Sequence, residues 1–290
     1  MKIVHLPVML REVIMLLKPE SGGIYVDATI GLGGHTEEIL RHIGNGRVIG
    51  IDRDEEALNL AMNRLADDRV ILKEGRFSDI GMLLAETGIS GVDGILFDLG
   101  LSMLHLKDVE RGFSFLSEEP LDMRMDKSQG LTAGDIVNKY SEKDIDKILW
   151  EYGEERLSRK IAKAIVNHRA KKKIGTCAEL SNIVCSVYRG RGKLHPATKT
   201  FQALRIAVND ELNELRKGLN AASGILKRGG RLCVISYHSL EDRIVKNFIR
   251  DNQKQGVFNV ITKKPLTPSY EEIRLNPSAR SAKLRGAEKT

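Results

Sequence analysis

Two acids and a cluster of glycines stand where chemistry could happen. Gly31, Gly33 and Gly34 follow the short apolar run "IYVDATI" (24–30) and open an amphipathic stretch, "GGHTEEIL". Glycines between a strand and a helix let backbone N–H groups and a positive helix terminus approach a ligand that side chains would otherwise block. Asp52 ends a second run, "RVIGID", about twenty residues on, where an acid accepts hydrogen bonds from a ribose diol. Either feature alone is an ordinary strand-to-helix turn or capping acid; together they favour an adenosyl ligand. The dinucleotide pattern G-x-G-x-x-G needs a glycine at position 36, where Thr36 stands, and this weakens a nicotinamide reading. S-adenosylmethionine has no pyrophosphate to cradle, so it tolerates that loss. Asp98 ends a further run, "VDGILFDLG" (92–100), and points to the crevice that forms at the carboxyl ends of strands in an open α/β sheet.

These residues need a scaffold, and the chain alternates strands with helices. The runs at 24–30, 47–52, 69–75 and 92–100 are Val/Ile-rich, with helix-period stretches between them, the βαβα pattern of a doubly wound parallel sheet. After Gly100 helix starts replace strands. Thr132 with Asp135, Ser141 with Asp144 and Thr176 with Glu179 each set a hydroxyl three residues before an acid, ahead of an apolar-periodic run. This predicts a helical insertion. The α/β pattern then resumes with one long helix over 197–226, the strand "GRLCVISYHS" (230–239) and the helix "LEDRIVKNFIR", and the tail after Val257 reads as hairpin or loop. The expected organisation is a first α/β part at 1–103, a helical insertion at 104–196 and a second α/β part at 197–290.

Composition narrows the class. The chain has 290 residues, 41% hydrophobic, enough for a large core, and no apolar run approaches the roughly 18 residues that span a bilayer. Cys177, Cys185 and Cys233 lack the spacing of a disulfide framework or a metal site, so no metal is expected and a cytoplasmic location is. The net charge of +7 suits a polyanionic partner.

From end to end the chain carries "GLGGHT", "IDRD", "FDLGLS", "ERGFSF", "LDMRMD", "YGEER", "HPATKTFQALRI", "SYHSLEDRIVK" and "NPSARSAKLR". In this order and over this length it closely resembles the bacterial ribosomal RNA small-subunit methyltransferase H family, also called MraW. The resemblance implies a class I S-adenosylmethionine-dependent methyltransferase fold, Rossmann-like, with an inserted all-helical domain for substrate recognition. It also implies methyl transfer from S-adenosylmethionine to N4 of a cytidine in the decoding region of 16S ribosomal RNA. The partners are then 16S ribosomal RNA or the small ribosomal subunit, with no membrane. The oligomeric state is open, a homodimer being one option.

Carried over by motif, the family's cofactor contacts fall on Gly33, Gly34, His35, Asp52, Phe77 and Asp98. A further one, usually a glutamine in a Ser-Pro-Gln-Leu stretch, falls on His105 in "LSMLHLKD", where this chain departs from the pattern. Cytosine's exocyclic amine delocalises its lone pair, and an acceptor at its N–H groups helps localise it; Asp98 is the candidate catalytic group. The base needs an aromatic to stack on, for which Phe113 or Phe115 is available, both equally suited to an insertion core. Ser239 and Asp242 read as a capping box, leaving His238 and Arg243 as RNA contacts, and Arg205 and Asn209 share a polar helix face with Gln202 that could meet substrate. Basic runs at 168–173 and 188–195 suit phosphate contact. Two other readings remain: an RNA-binding ribosome-assembly protein with a vestigial cofactor pocket, and an amino-methyltransferase acting on DNA.

Overall fold

The computed structural model describes residues 7–100, 111–115, 117–190 and 195–290. Its contacts form two compact units: one runs to Gly100 and resumes at Leu212, and the other takes the residues between.

The first unit is built on a seven-stranded sheet. Its strands are β1 (Ile24–Asp27), β2 (Arg47–Asp52), β3 (Val70–Glu74), β4 (Val92–Asp98), β5 (Leu226–Ser236), β6 (Phe258–Val260) and β7 (Lys283–Lys289), in the order β3-β2-β1-β4-β5-β7-β6. β1 to β5 are parallel, and β7 runs antiparallel between β5 and β6. This is the Rossmann-like doubly wound sheet of class I methyltransferases that the resemblance implied. The winding reverses between β1 and β4, so their carboxyl ends flank the switch-point crevice where such sheets bind ligands. Both faces of the sheet are covered, which explains the nearly unbroken apolar runs. Ile95, Phe97 and Val234 turn to one face, against Leu215 and Leu219 of α10 (Glu211–Ile225) and Val245 and Ile249 of α11 (Ser239–Lys254). The alternate residues Leu96, Cys233 and Ile235 turn to the other, against α1 (Leu10–Leu17) and α2 (Gly34–Leu40).

The tail, expected as hairpin or loop, contributes β7 to this sheet. "KLRGAEK" has no β-branched residue, so its strand is fixed by pairing, Ile235 opposite Leu284 and Cys233 opposite Gly286, and not by local preference.

The second unit contains α5 (Ala133–Lys139), α6 (Glu142–Gly153), α7 (Ser158–Arg169), α8 (Cys177–Val187) and α9 (Thr198–Asn209) among its described residues. The anticipated caps start three of them. Thr132 with Asp135 and Thr176 with Glu179 form reciprocal capping boxes, and Ser141 Oγ accepts the Asp144 N–H at 3.1 Å. Ile136, Ile145, Leu149, Ile161, Ile165 and Leu204 make the core. A Cβ on Gly153 would lie 2.7 Å from the Lys199 carbonyl, so only glycine lets the end of α6 approach α9 this closely. The single helix expected over 197–226 is two, because Asp210 takes a left-handed conformation (φ 50°) that an Asn-Asp pair tolerates better than most. α9 groups with the helical unit, while α10 from Leu212 onward groups with the sheet. Among the described residues, no helix is long and apolar enough to cross a membrane.

Candidate cofactor and catalytic site

The loop after β1 is tied to both neighbouring strands. Ala28 N–H donates to the Leu96 carbonyl and Ile30 N–H to that of Ile51, each at 2.9 Å. Gly31 and Gly33 then adopt positive φ (50° and 75°), and a Cβ on Gly33 would come within 2.9 Å of Leu65 Cδ1. The turn therefore needs glycine for its conformation and for its space. Gly34 begins α2 immediately after.

Asp52 joins this turn to the end of β2. Its Oδ2 accepts the Gly31 N–H and its Oδ1 the Asp54 N–H, both at 3.0 Å. The carboxylate is thus held at the glycine turn by two backbone donors.

Asp98 closes β4 on the other side of the switch point. Its N–H donates to Thr29 Oγ1 at 2.7 Å, which fixes the strand end against the first loop. Tyr237, just past β5, donates its hydroxyl to Asp98 Oδ1 at 2.8 Å. The phenol ring passes close over Gly100, whose Cβ, if present, would lie 3.2 Å from Tyr237 Cδ2. Burial first, and then the Asp98 charge, push the Tyr237 hydroxyl well above its ordinary pKa, so it stays a donor. On the other carboxylate oxygen, His35 Nε2 stands 3.4 Å from Oδ2. His35 is 5% exposed, and neither ring nitrogen makes a hydrogen bond among the described residues. Such a buried orphan is rare in a finished core and common where a ligand completes the set. Asp98 itself keeps 22% of its side chain open.

Asp27 lies beneath this cluster. It accepts from Thr36 Oγ1 at 2.8 Å, and burial pushes its carboxyl up to about 6. Phe77 begins a short 3-10 turn after β3; its half-buried ring meets Phe97 edge-on, centroids 5.6 Å apart, and rests on Gly218 of α10, where a Cβ would be 2.7 Å away. His105 lies outside the described residues, as do positions 191–194 of the second basic run.

The residues chosen for substrate contact fare differently. Phe113 is buried in the helical core; Phe115 stacks on His195 (4.5 Å, 11°) and meets Phe201 edge-on. Arg205 forms a two-pronged pair with Glu211, both bonds 2.8 Å. Asn209 is 2% exposed. Its amide accepts from Met125 N–H and donates to the carbonyls of Met123 and Arg205, which makes it a clamp on the 123–125 segment. Gln202 likewise donates to the Tyr152 carbonyl.

His238 has a capping role, and its buried Nε2 makes no hydrogen bond among the described residues. It is the N-cap of α11: its ring accepts the Glu241 N–H, and Glu241 accepts the His238 and Tyr237 N–H groups in return. The capping box therefore sits one residue earlier than the Ser239/Asp242 pair. Asp242 instead binds Arg285 at 2.7 Å. Arg243 remains on the exposed side of α11. The sequence motif "SYHSLEDR" held the residue that does reach Asp98, but it is Tyr237, one position before the histidine. Its signal is the strand register: β5 pairs Ile235 with Asp98, which leaves residue 237 just beyond the strand end.

Comparison with known proteins places the chain among relatives of the same length. It is 50% identical over 290 residues to the ribosomal RNA small subunit methyltransferase H of Persephonella marina, covering 98% of this chain and 99% of that one. The protein of the same name from Caldicellulosiruptor bescii is 50% identical over 303 residues, again covering 98% and 99%. A solved rRNA methylase from Streptococcus thermophilus is similar at 14% identity and a TM-score of 0.45, covering 97% of this chain and 93% of that one. Residues 2–290 match a single family from end to end. The glycine turn, the two strand-end acids and this match lead to one conclusion: the chain belongs to the MraW methylase family and is an S-adenosylmethionine-dependent methyltransferase.

Proposed function

We propose that the chain methylates N4 of a cytidine in the decoding region of 16S ribosomal RNA, with the sheet unit holding cofactor and reacting atoms and the helical unit recognising RNA. The substrate class is supported by full-length relatives named for small-subunit ribosomal RNA. The amine chemistry rests on one observation: Asp98 is a partly open carboxylate at the switch point with one oxygen already anchored by Tyr237.

The cofactor contacts are assigned to Gly33, Gly34, His35, Asp52, Phe77, Asp98 and His105. The residues fit such a group: a turn whose Gly31 and Gly33 take positive φ, an acid fixed at its edge, and buried imidazole nitrogens without hydrogen bonds among the described residues. When bound, S-adenosylmethionine supplies a methyl group activated by its sulfonium.

The chain's own residues then do three things. The glycine turn and Asp52 set position, which accounts for much of the rate such a site can provide. Asp98 accepts a hydrogen bond from the exocyclic amine, localising its lone pair, and receives the proton that the methylated nitrogen must lose. Tyr237 keeps that carboxylate in one orientation while its neutral hydroxyl cannot compete for the proton.

The test is transfer of labelled methyl from S-adenosylmethionine to small ribosomal subunits taken from a strain lacking this enzyme, followed by nucleoside analysis. Label in N4-methylcytidine is the expected result. Label in another nucleoside, or none in subunits or free 16S RNA, overturns the assignment.

A further inference from the structure

The charge of this chain is concentrated in one place. Residues 156–173 hold three arginines and five lysines and not one aspartate or glutamate. Those eight positive charges exceed the +7 of the whole chain, so the rest of the molecule is net −1. The segment comprises α7 and its two flanks.

The helix explains its own orientation. Ser158, Ile161, Ala162 and Ile165 are buried in the core of the helical unit, which turns the basic residues outward. Three of the eight have work inside the unit. Arg169 donates to the Val137 and Tyr140 carbonyls at the end of α5, Lys172 pairs with Glu179, and Arg159 stands 3.6 Å from Asp146. The other five, Arg156, Lys160, Lys163, Lys171 and Lys173, are exposed and have no acidic partner among the described residues. Several cations elsewhere on this unit are paired, among them Arg124 with Asp122, Lys139 with Asp135 and Arg205 with Glu211.

Helix stability does not account for this face. Positive charge favours the last turn of a helix, which covers His168 and Arg169, but Arg159 and Lys160 occupy the first turn, where the dipole opposes them. Lys160 with Lys163, and Arg159 with Lys163, are like-charge neighbours at helical spacing, which disfavours the helix. The surface is self-repelling until a polyanion lies on it.

We infer that the exposed face of α7 and its flanks is a phosphate-binding surface for the backbone of the RNA substrate. The inference rests on the ribosomal RNA reading above and goes further by assigning the electrostatic part of RNA affinity to five residues. These contacts hold RNA without reading its sequence.

Two variants of equal charge test it in the full-length chain. One changes Arg156, Lys160, Lys163, Lys171 and Lys173 to glutamine. The other changes Lys246, Lys254, Lys263, Lys264 and Arg274, exposed cations of the sheet unit, to glutamine. Binding to a 16S ribosomal RNA transcript is measured across salt concentrations, with S-adenosylmethionine affinity as the check that each variant is folded. The α7 variant should bind RNA about a hundredfold more weakly at 0.1 M salt, with the slope of log K against log salt shallower by about 3. The sheet variant should stay within about threefold of the unmodified chain. Equal weakening by both variants means net charge alone matters and overturns the surface assignment, as does full binding by the α7 variant. Salt-sensitive binding of poly-glutamate at these residues, with RNA binding unchanged, assigns the face to an acidic protein instead. If the unmodified chain does not bind the transcript at all, the RNA substrate reading itself fails.

Discussion

Two pairs of polar residues, one in each unit, are placed in opposite ways. At the strand ends of the sheet unit, His35 is buried without a hydrogen-bond partner among the described residues and Asp98 keeps part of its carboxylate open. In the helical unit, Asn209 and Arg205 are fully engaged by their own surroundings, although their helix spacing made them look equally available. The difference separates a site from a scaffold. A polar group that folding satisfies stabilises the fold, and one that folding leaves incomplete is where a ligand contributes.

Substitutions can break this contrast. The largest effect on stability is expected from Asn209→Ala, which leaves the Met125 N–H and Met123 carbonyl buried without partners and should cost about 3 kcal/mol in urea unfolding. A change under about 1 kcal/mol accompanied by a raised KM for RNA would return Asn209 to the substrate. Next comes Asp27. Its carboxyl is raised by burial from the ordinary 3.8 to about 6, so between those values the folded state keeps a proton that the unfolded chain has released. Stability from this group is fully present below the unfolded value and is lost as pH rises through about 6, by about 3 kcal/mol. Unfolding midpoints of Asp27→Asn should lack that decline; an unchanged slope would show that Asp27 is not its source.

Tyr237→Phe sharpens the contrast from the other side. It removes the hydroxyl that orients Asp98 and should lower kcat about tenfold, roughly 1.4 kcal/mol, with KM and cofactor affinity little changed. A loss confined to KM would make Tyr237 a binding residue and not a positioning one. The smallest effect is Thr132→Ala, which removes the α5 cap and should cost about 1 kcal/mol of stability without altering cofactor affinity.

What the sequence reveals follows the range of the forces involved. The helix caps at Thr132, Ser141 and Thr176 are legible because each is settled within four residues. The central strands are legible because burial on both faces demands long apolar runs. β7 is not, since Arg285 and Gly286 are strand residues only by virtue of β5 beside them. The same holds at the site. Gly33, Asp52 and Asp98 are legible because strand-end positions in a doubly wound sheet converge, whatever the details. Tyr237 required the β4/β5 register, and the clamping role of Asn209 required the path of residues 123–125, neither of which a local pattern contains.

The most direct test of the strand-end site is Asp98→Ala, examined by single-turnover methyl transfer at saturating S-adenosylmethionine alongside urea unfolding. The side chain is partly open, but its loss strands the buried Tyr237 hydroxyl, so stability should fall by about 1–3 kcal/mol while the protein stays folded. Transfer should fall by at least about a thousandfold, roughly 4 kcal/mol of barrier. Transfer within about tenfold of the unmodified rate would contradict the account, because the amine would then be finding its acceptor somewhere other than the end of β4.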